Sequence, residues 1–218
     1  VRRRAAVGVA AAAVVAVAVG GSLAANGNRA DGPTDEPGQW RELPTPPLSP
    51  RSFAVAAWTG REVVVVGGST NPCPPAADCA GPLANLRDGA AYDPATDSWH
   101  PIAPAPSPVS GDDQVAVADG KVVVRGDSPD WLVYDPQHDR WQTTPGPGKG
   151  GYWLSAYGNR VYTPTHRGIS YLDVRTLHWT RLPLDPIRPR LAERTVTGTS
   201  AGPVVTGYDE TEPRDGRK

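Results

Sequence analysis

The sequence predicts an all-β protein built from repeated, four-stranded antiparallel units. Three observations support this prediction: short β-prone runs alternate with turn residues, a Trp recurs at positions 40, 99, 141 and 179, and a turn glycine recurs in a register of its own. Glycine (24) and proline (25) are abundant among the 218 residues, and they separate the apolar runs instead of forming a low-complexity tract.

The first 25 residues are typical of an export signal or a membrane anchor. Residues 2–4 are all Arg, and residues 5–28 are uncharged and consist mostly of Ala and Val. The small residues at 22–24 suit a cleavage site, which favours a signal peptide. The alternative is a retained anchor, because residues 5–25 are enough to span a bilayer. Both interpretations predict an extracytoplasmic protein, secreted or anchored by this segment.

Three further regions follow the N-terminal segment. Residues 26–39 are rich in Gly, Asn, Asp and Pro and predict a flexible linker. Residues 40–208 hold the repeats, and residues 209–218 form a polar tail. The two cysteines, Cys73 and Cys79, lie in a Pro-rich insertion. Outside the cytoplasm we expect them to form a local disulfide, with two free thiols as the alternative.

Each repeat is marked at two places. The recurring Trp is followed within six residues by Pro, and a Tyr and an Asp precede the last three copies, at Tyr92, Tyr134 and Tyr171. In the other register, Gly60, Gly120, Gly158 and Gly202 lie between β-prone runs, where a tight hairpin needs the positive φ that glycine adopts cheaply. We therefore expect the repeated Trp and Tyr to pack in the core between units.

A period near 40 residues with four strands per unit is typical of a β-propeller, whose sheets must stack to bury both faces. Residues 63–68 (Val-Val-Val-Val-Gly-Gly) and 92–99 (Tyr-Asp-Pro-Ala-Thr-Asp-Ser-Trp) resemble a kelch repeat, with an apolar strand, two glycines, a Tyr and a Trp. Residues 115–141 carry the pattern with Arg125-Gly126 at the glycine pair, and residues 153–179 carry it poorly. The resemblance implies a kelch-like propeller of the galactose oxidase and kelch type.

The number of units is low for such a ring. The pattern predicts about three full four-stranded blades, a partial blade made of one hairpin at residues 191–208, and a lone outer strand at residues 39–43. The ring is therefore closed with a defective fourth blade, or is an open or truncated arc. Self-association with another copy is one way to complete it.

No set of catalytic or metal-ligating residues stands out, so we assign no catalysis, no cofactor and no metal. The sequence 198–202 (Gly-Thr-Ser-Ala-Gly) matches a nucleophile-elbow pattern, but a strand follows it where that motif requires a helix. Loops at one end of a propeller converge on its channel, and this topology predicts a ligand site there. Seven residues of those loops are candidates: Arg87, Arg125, Asp127, Asp130, Lys149, His166 and Arg167.

The function expected from these features is an exported kelch-like module that binds a protein or a carbohydrate ligand at the cell surface. A net charge of −1 produces no positive electrostatic field that would attract nucleic acid, so nucleic-acid binding is not expected. Membrane contact is expected only through the N-terminal segment. One alternative is a fragment of a galactose oxidase-like or other carbohydrate-active enzyme; the copper, Cys-Tyr and His positions of that family cannot be assigned here. Another alternative is a truncated, non-functional remnant.

Overall fold

The computed structural model describes residues 40–70, 85–126, 128–148, 153–166, 168–183 and 191–209. The chain divides into two units, Val1–Leu43 and Pro44–Lys218. Of the first unit, only residues 40–43 are described. They form no strand, and Trp40 is 83% exposed, so the predicted outer strand and the predicted core position of this Trp are wrong. The predicted signal or anchor and Cys73 and Cys79 lie outside the described residues.

The second unit is all-β, and its described part contains fourteen strands and no helix. Three antiparallel meanders each have their four strands in chain order, and a hairpin follows them. Sheet 1 contains β1 (Val55–Trp58), β2 (Val63–Val66), β3 (Gly89–Asp93) and β4 (Ser98–Ile102). Sheet 2 contains β5 (Gln114–Ala118), β6 (Lys121–Arg125), β7 (Asp130–Asp135) and β8 (Arg140–Pro145). Sheet 3 contains β9 (Ser155–Tyr157), β10 (Arg160–Thr165), β11 (Gly168–Asp173) and β12 (His178–Arg181). The terminal hairpin contains β13 (Leu191–Thr199) and β14 (Gly202–Asp209).

The recurring glycines lie in the first hairpin of each sheet, as predicted. Asp119 and Gly120 both have positive φ, 50° and 71°, in the two-residue turn that joins β5 to β6. Such a turn matches the twist of the strands it connects, which explains the Asp-Gly pair. The Gly-Thr-Ser-Ala-Gly sequence spans the tip of the terminal hairpin, a strand-turn-strand segment, and this excludes a nucleophile elbow there.

Successive sheets stack through alternate residues of their inner strands. In β6, Val122 and Val124 join a core cluster with sheet 1, whereas Val123 points the other way into a cluster with sheet 3. All three are at most 1% exposed. A third cluster joins Tyr162 and Ile169 of sheet 3 to Val196 of the hairpin. Two-sided burial explains why the two middle strands of sheet 2, β6 and β7, contain continuous apolar runs instead of alternating ones.

The first strands of successive sheets are neighbours. β1 lies against β5, β5 lies against β9, and β13 lies against β9 and β10. Stacked meanders with adjacent first strands are compatible with a β-propeller.

The third and fourth strands carry the repeated aromatic pair, one residue on each strand. Tyr92 pairs with Trp99 across β3 and β4, and Tyr134 pairs with Trp141 across β7 and β8. In sheet 3 the residue paired with Trp179 is Leu172. The prediction that Tyr171 takes the place of the repeated Tyr was therefore off by one residue, since Tyr171 points to the opposite face and contacts Tyr162.

Candidate functional site

The stacked sheets have two different ends. The turn end contains the tight hairpins between first and second strands and the turns between third and fourth strands. The loop end contains the connections between second and third strands and those that lead from one sheet to the next. We use these two names below.

Polar contacts at the turn end hold strands together. In each of the three turns an Asp side chain accepts a hydrogen bond from the backbone N–H two residues later, at Asp93, Asp135 and Asp173. The same carboxylates meet a side chain from the first hairpin: Arg61 at 3.6 Å, Lys121, and Asn159 at 2.8 Å respectively. Because these polar groups bind one another, their role at the turn end is to connect the turns to the first hairpins and so stabilise each sheet.

The electrostatics of Asp135 illustrate this structural role. Its carboxylate is 4% exposed, and burial acts to raise its pKa. Hydrogen bonds from Lys121 and His138 outweigh burial and hold the pKa below its usual range. Between sheets 2 and 3, the Arg175 guanidinium donates to the Asp119 carboxylate at 2.6 and 2.8 Å. This hydrogen bonding lowers the pKa of Asp119 as well.

At the loop end, three connecting segments are tied together by backbone hydrogen bonds. Gly68 N–H donates to the Val109 carbonyl at 2.9 Å, and Val109 N–H donates to the Leu86 carbonyl at 3.0 Å. A Cβ on Gly67 would lie 2.2 Å from the Val109 carbonyl oxygen, and Gly68 has a φ of 82°. The double glycine is required here because the linker between sheets 1 and 2 crosses directly over it.

An arginine fixes the same segments from the side. Arg51, whose side chain is 6% exposed, donates to both carboxylate oxygens of Asp88 at 2.8 and 2.9 Å and to the Gly67 carbonyl at 3.1 Å. The pKa of Asp88 is lowered by this hydrogen-bonded guanidinium. The two-point contact orients the segment 85–88 on the strand ends.

A pocket of about 230 Å³ opens between these segments at the junction of sheets 1 and 2. Its described lining is mostly polar and comes from the linker 103–113 and from both sheets: Asn85, Ser107, Pro108, Ser110, Asp113, Val124, Gly126, Ser128, Asp130 and Leu132. Val124 and Leu132 are buried and form an apolar floor. The ionisable groups in this lining are the two carboxylates, so the pocket is rich in hydrogen-bond acceptors.

Three lining residues define the polar character of the pocket. Asp113 accepts a hydrogen bond from Ser110 N–H at 2.9 Å, and a Cβ on Gly126 would lie 2.8 Å from its Oδ1. The Oδ1 atom of Asn85 is buried and has no hydrogen-bond partner within the described part of the chain. Asp130 is exposed at the start of β7. A buried oxygen without a partner is costly, and a ligand that donates a hydrogen bond can satisfy it.

Four of the seven predicted site residues are described, and these four lie at the loop end without sharing one site. Asp130 lines the pocket, whereas Arg87 donates from Nε to the Ala105 carbonyl at 2.5 Å and so supports the linker. Arg125 ends β6, and His166 follows β10 and is exposed. The other three candidates lie outside the described residues: Asp127, Lys149 and Arg167. Which of the seven contact a ligand stays a prediction.

Sequence reasoning missed Asn85, Ser110 and Asp113. Asp113 was visible as one half of an acidic pair with Asp112, but nothing local distinguishes the half that faces the pocket. Within the described ranges, no three His, Cys, Asp or Glu side chains are grouped as a metal site requires. Nor does any described residue belong to a helix that is long and apolar enough to cross a membrane.

Comparisons with known proteins add little. No protein-family model and no curated protein matches this chain. Among solved structures, that of YjhT is similar, with 19% identity and a TM-score of 0.48. The match covers 74% of this chain, which spans 60% of the length of YjhT.

Proposed function

We propose that this protein is an exported, kelch-like β-propeller that acts as a binding module at the cell surface and takes its ligand at the loop end. The observation that carries the proposal is the acceptor-rich pocket at the junction of sheets 1 and 2. Its walls are fixed by backbone hydrogen bonds and by the Arg51–Asp88 pair, so it is largely formed before a ligand arrives.

The kelch assignment is supported by the match between motif and structure. The glycine pair lies where the linker crosses, and the Tyr and Trp pair across the third and fourth strands in sheets 1 and 2. The three stacked meanders are then three blades, and the terminal hairpin is part of a fourth. The closure of the ring, including closure by another copy, belongs to this proposal.

Export is supported by the N-terminal sequence alone. Three arginines followed by a long Ala- and Val-rich run match a signal peptide or an anchor. Expression of the full chain followed by cell fractionation tests this part. Recovery of the protein in the cytoplasmic fraction, with the N-terminal segment intact, would contradict it.

Binding at the loop end can be tested without knowing the ligand. A panel of neutral mono- and disaccharides, amino acids and short peptides is screened against the full chain by saturation-transfer NMR. We expect at least one class to bind, and we expect Ser128→Trp, which fills the exposed side of the pocket, to abolish that binding. The matched control is Ser200→Trp, an exposed serine at the tip of the terminal hairpin.

Two outcomes would overturn the proposal. One is a panel in which nothing binds, or in which binding survives Ser128→Trp. The other is copper in stoichiometric amounts in the purified protein, measured by elemental analysis, which would favour a radical oxidase over a binding module.

A further inference from the structure

Three exposed residues occupy equivalent positions at the loop end, each two residues before the first strand of a sheet. They are Phe53 before β1, Asp112 before β5 and Trp153 before β9. Because β5 lies against both β1 and β9, the three positions follow one another across the stacked sheets, with the acid between the two aromatic residues. We call these three residues the loop-end row.

The packing of the fold does not account for either aromatic residue of the row. Phe53 and Trp153 are 55% and 58% exposed, so more than half of each residue is accessible to a ligand. Phe53 also has a φ of 57°, which a bulky residue adopts only with strain. Strain at an exposed aromatic residue points to a role of its side chain outside folding.

Both aromatic residues are carried on a well-packed backbone. A Cβ on Gly111 would lie 3.1 Å from Cα of Phe53, so the linker between sheets 1 and 2 runs directly against this residue. Leu154, the neighbour of Trp153, packs against the cluster between sheets 2 and 3. A site whose parts are already in place loses less conformational entropy when a ligand binds.

The residues of the row match the two surfaces of a sugar ring. A pyranose has a face of C–H groups that stacks on an aromatic ring, and its hydroxyls donate hydrogen bonds to a carboxylate such as that of Asp112. Sheets packed face to face lie about 10 Å apart, so one sugar ring cannot contact both aromatic residues, whereas a chain of several can. We propose that the loop-end row binds a neutral oligosaccharide of several pyranose units. This inference rests on the proposed function and gives the class of its ligand.

Two other classes of ligand fit the row less well. Single-stranded nucleic acid also stacks on aromatic side chains, but it would bring phosphates towards the carboxylate of Asp112. A peptide bound as an added strand needs free backbone groups. The backbone of Ser52 is already bonded to that of Ser69 at 2.9 and 2.8 Å. Asp113 N–H likewise donates to the Ser110 carbonyl at 3.0 Å.

The experiment titrates the full chain with neutral hexasaccharides of β-1,4-linked glucose, mannose or N-acetylglucosamine, by isothermal titration calorimetry. We expect at least one hexasaccharide to bind, and to bind more tightly than its monosaccharide, because only the longer ligand reaches both aromatic residues. Added NaCl should leave the affinity unchanged, since the ligand carries no charge.

Variants of the row locate the binding site. Phe53→Gly and Trp153→Ala should each weaken hexasaccharide binding by roughly tenfold, and Asp112→Ala by roughly threefold. The matched control is Trp58→Ala, because Trp58 is 52% exposed but lies at the opposite end of β1, and its loss should leave binding unchanged. Phe53→Gly should not lower the urea midpoint, since glycine adopts a φ of 57° without strain.

Several results would overturn the inference. They are the absence of hexasaccharide binding up to millimolar concentrations, equal affinity for hexasaccharide and monosaccharide, and an equal loss in Trp58→Ala. A row that binds peptides and no hexasaccharide overturns it too, as does a clear fall in the urea midpoint of Phe53→Gly. If a ligand of the earlier panel binds both row variants normally and Ser128→Trp abolishes that binding, the proposed function stands and only the role of the row is wrong.

Discussion

The two interfaces of sheet 2 are built on the same plan but are held by different chemistry. Towards sheet 1, Tyr134 donates from its hydroxyl to Asp139 Oδ1 at 2.8 Å, and the same oxygen accepts from Ala103 N–H at 2.7 Å. Trp141 Nε1 donates to the Ala103 carbonyl at 2.8 Å. Ala103, in the linker after sheet 1, is thus held by two polar groups of sheet 2, and the Tyr134 hydroxyl fixes one of them, Asp139.

The interface of sheet 2 with sheet 3 replaces this network with apolar packing. Leu172 stands where the other sheets have Tyr, and Leu177 stands where they have Asp97 and Asp139. The backbone conformation at this position is the same in both sheets, since Leu177 has a φ of 56° and Asp139 has a φ of 43°. Both leucines belong to the cluster between sheets 2 and 3. Losing both polar partners together avoids the cost of leaving one unpaired.

The indole of sheet 3 also lacks the polar contact. Trp179 Nε1 is buried and has no hydrogen-bond partner among the described residues, and its ring meets Trp131 edge-on with centroids 4.8 Å apart. The strands and turns therefore specify the repeated geometry. The side chains that fill an interface can differ between sheets when both partners of a contact change together, as Tyr134 and Asp139 correspond to Leu172 and Leu177.

The largest effect is expected in the apolar cluster between sheets 2 and 3. Leu172 is 0% exposed, and Leu172→Ala should lower the free energy of unfolding by about 2–5 kcal/mol, because it leaves a cavity between sheets 2 and 3. The measurement is urea unfolding followed by Trp fluorescence. The control is Val204→Ala, since Val204 is 53% exposed in the hairpin and its truncation should cost far less. Similar losses in both variants would contradict the packing we describe.

A smaller effect should follow from breaking the polar network. Asp139→Leu should cost about 1–3 kcal/mol of unfolding free energy, because the Tyr134 hydroxyl and the Ala103 N–H lose their acceptor. The double variant Tyr134→Leu with Asp139→Leu copies the solution found in sheet 3. It should be more stable than the sum of the single variants implies, by about 0.5 kcal/mol or more. Strict additivity in this double-mutant cycle would show that the pair is not coupled.

Because only one of two equivalent tryptophans donates an indole hydrogen bond, replacing each by Phe should lower the free energy of unfolding by amounts that differ by about 1 kcal/mol. Trp141→Phe removes a donor and leaves the Ala103 carbonyl without it, whereas Trp179→Phe removes an N–H that has no hydrogen-bond partner. We therefore expect Trp141→Phe to be the more destabilising change in urea unfolding. An equal or reversed order would show that ring packing, and not the N–H, distinguishes the two interfaces.

The smallest effect concerns the ion pair that crosses from sheet 2 to sheet 3. The hydrogen bond from Arg175 lowers the pKa of Asp119, so the folded pKa lies below the unfolded value. The stabilisation is then present above pH 4, roughly the unfolded pKa, and is lost as the pH falls through the folded pKa. Asp119→Asn should lower the urea midpoint slightly at pH 7, this difference should shrink as the pH falls through the folded pKa, and high salt should reduce it.

Asp112→Asn, an exposed acid away from this interface, is the control for general charge effects. A midpoint difference for Asp119→Asn that persisted unchanged at pH 2 would contradict the ion-pair explanation. So would an equal, pH-dependent difference in the control.

Much of the fold could be predicted because its signals are local. The signals are apolar β-branched runs, Asp-Gly and Gly-Asn turns and the recurring Trp, and each depends only on residues close to it in the chain. The observed strands coincide with the apolar runs and end at the turns. The errors are also informative. Tyr171 was assigned by residue type, but the one-residue alternation of a strand puts it on the opposite face and leaves Leu172 beside Trp179. Trp40 shares the repeated Trp-to-Pro spacing yet stands in no strand.

The sequence alone therefore determined the strands, the hairpin corners and the four-stranded unit, because hydrogen bonding and side-chain alternation are decided between near neighbours. The tertiary structure decided which acid of the Asp112-Asp113 pair lines the pocket. It also decided that Asn85 of one segment and Asp130 of the next sheet line the same cavity. These positions depend on how one sheet stacks on another, and that contact joins residues too far apart in the chain for any local pattern to report.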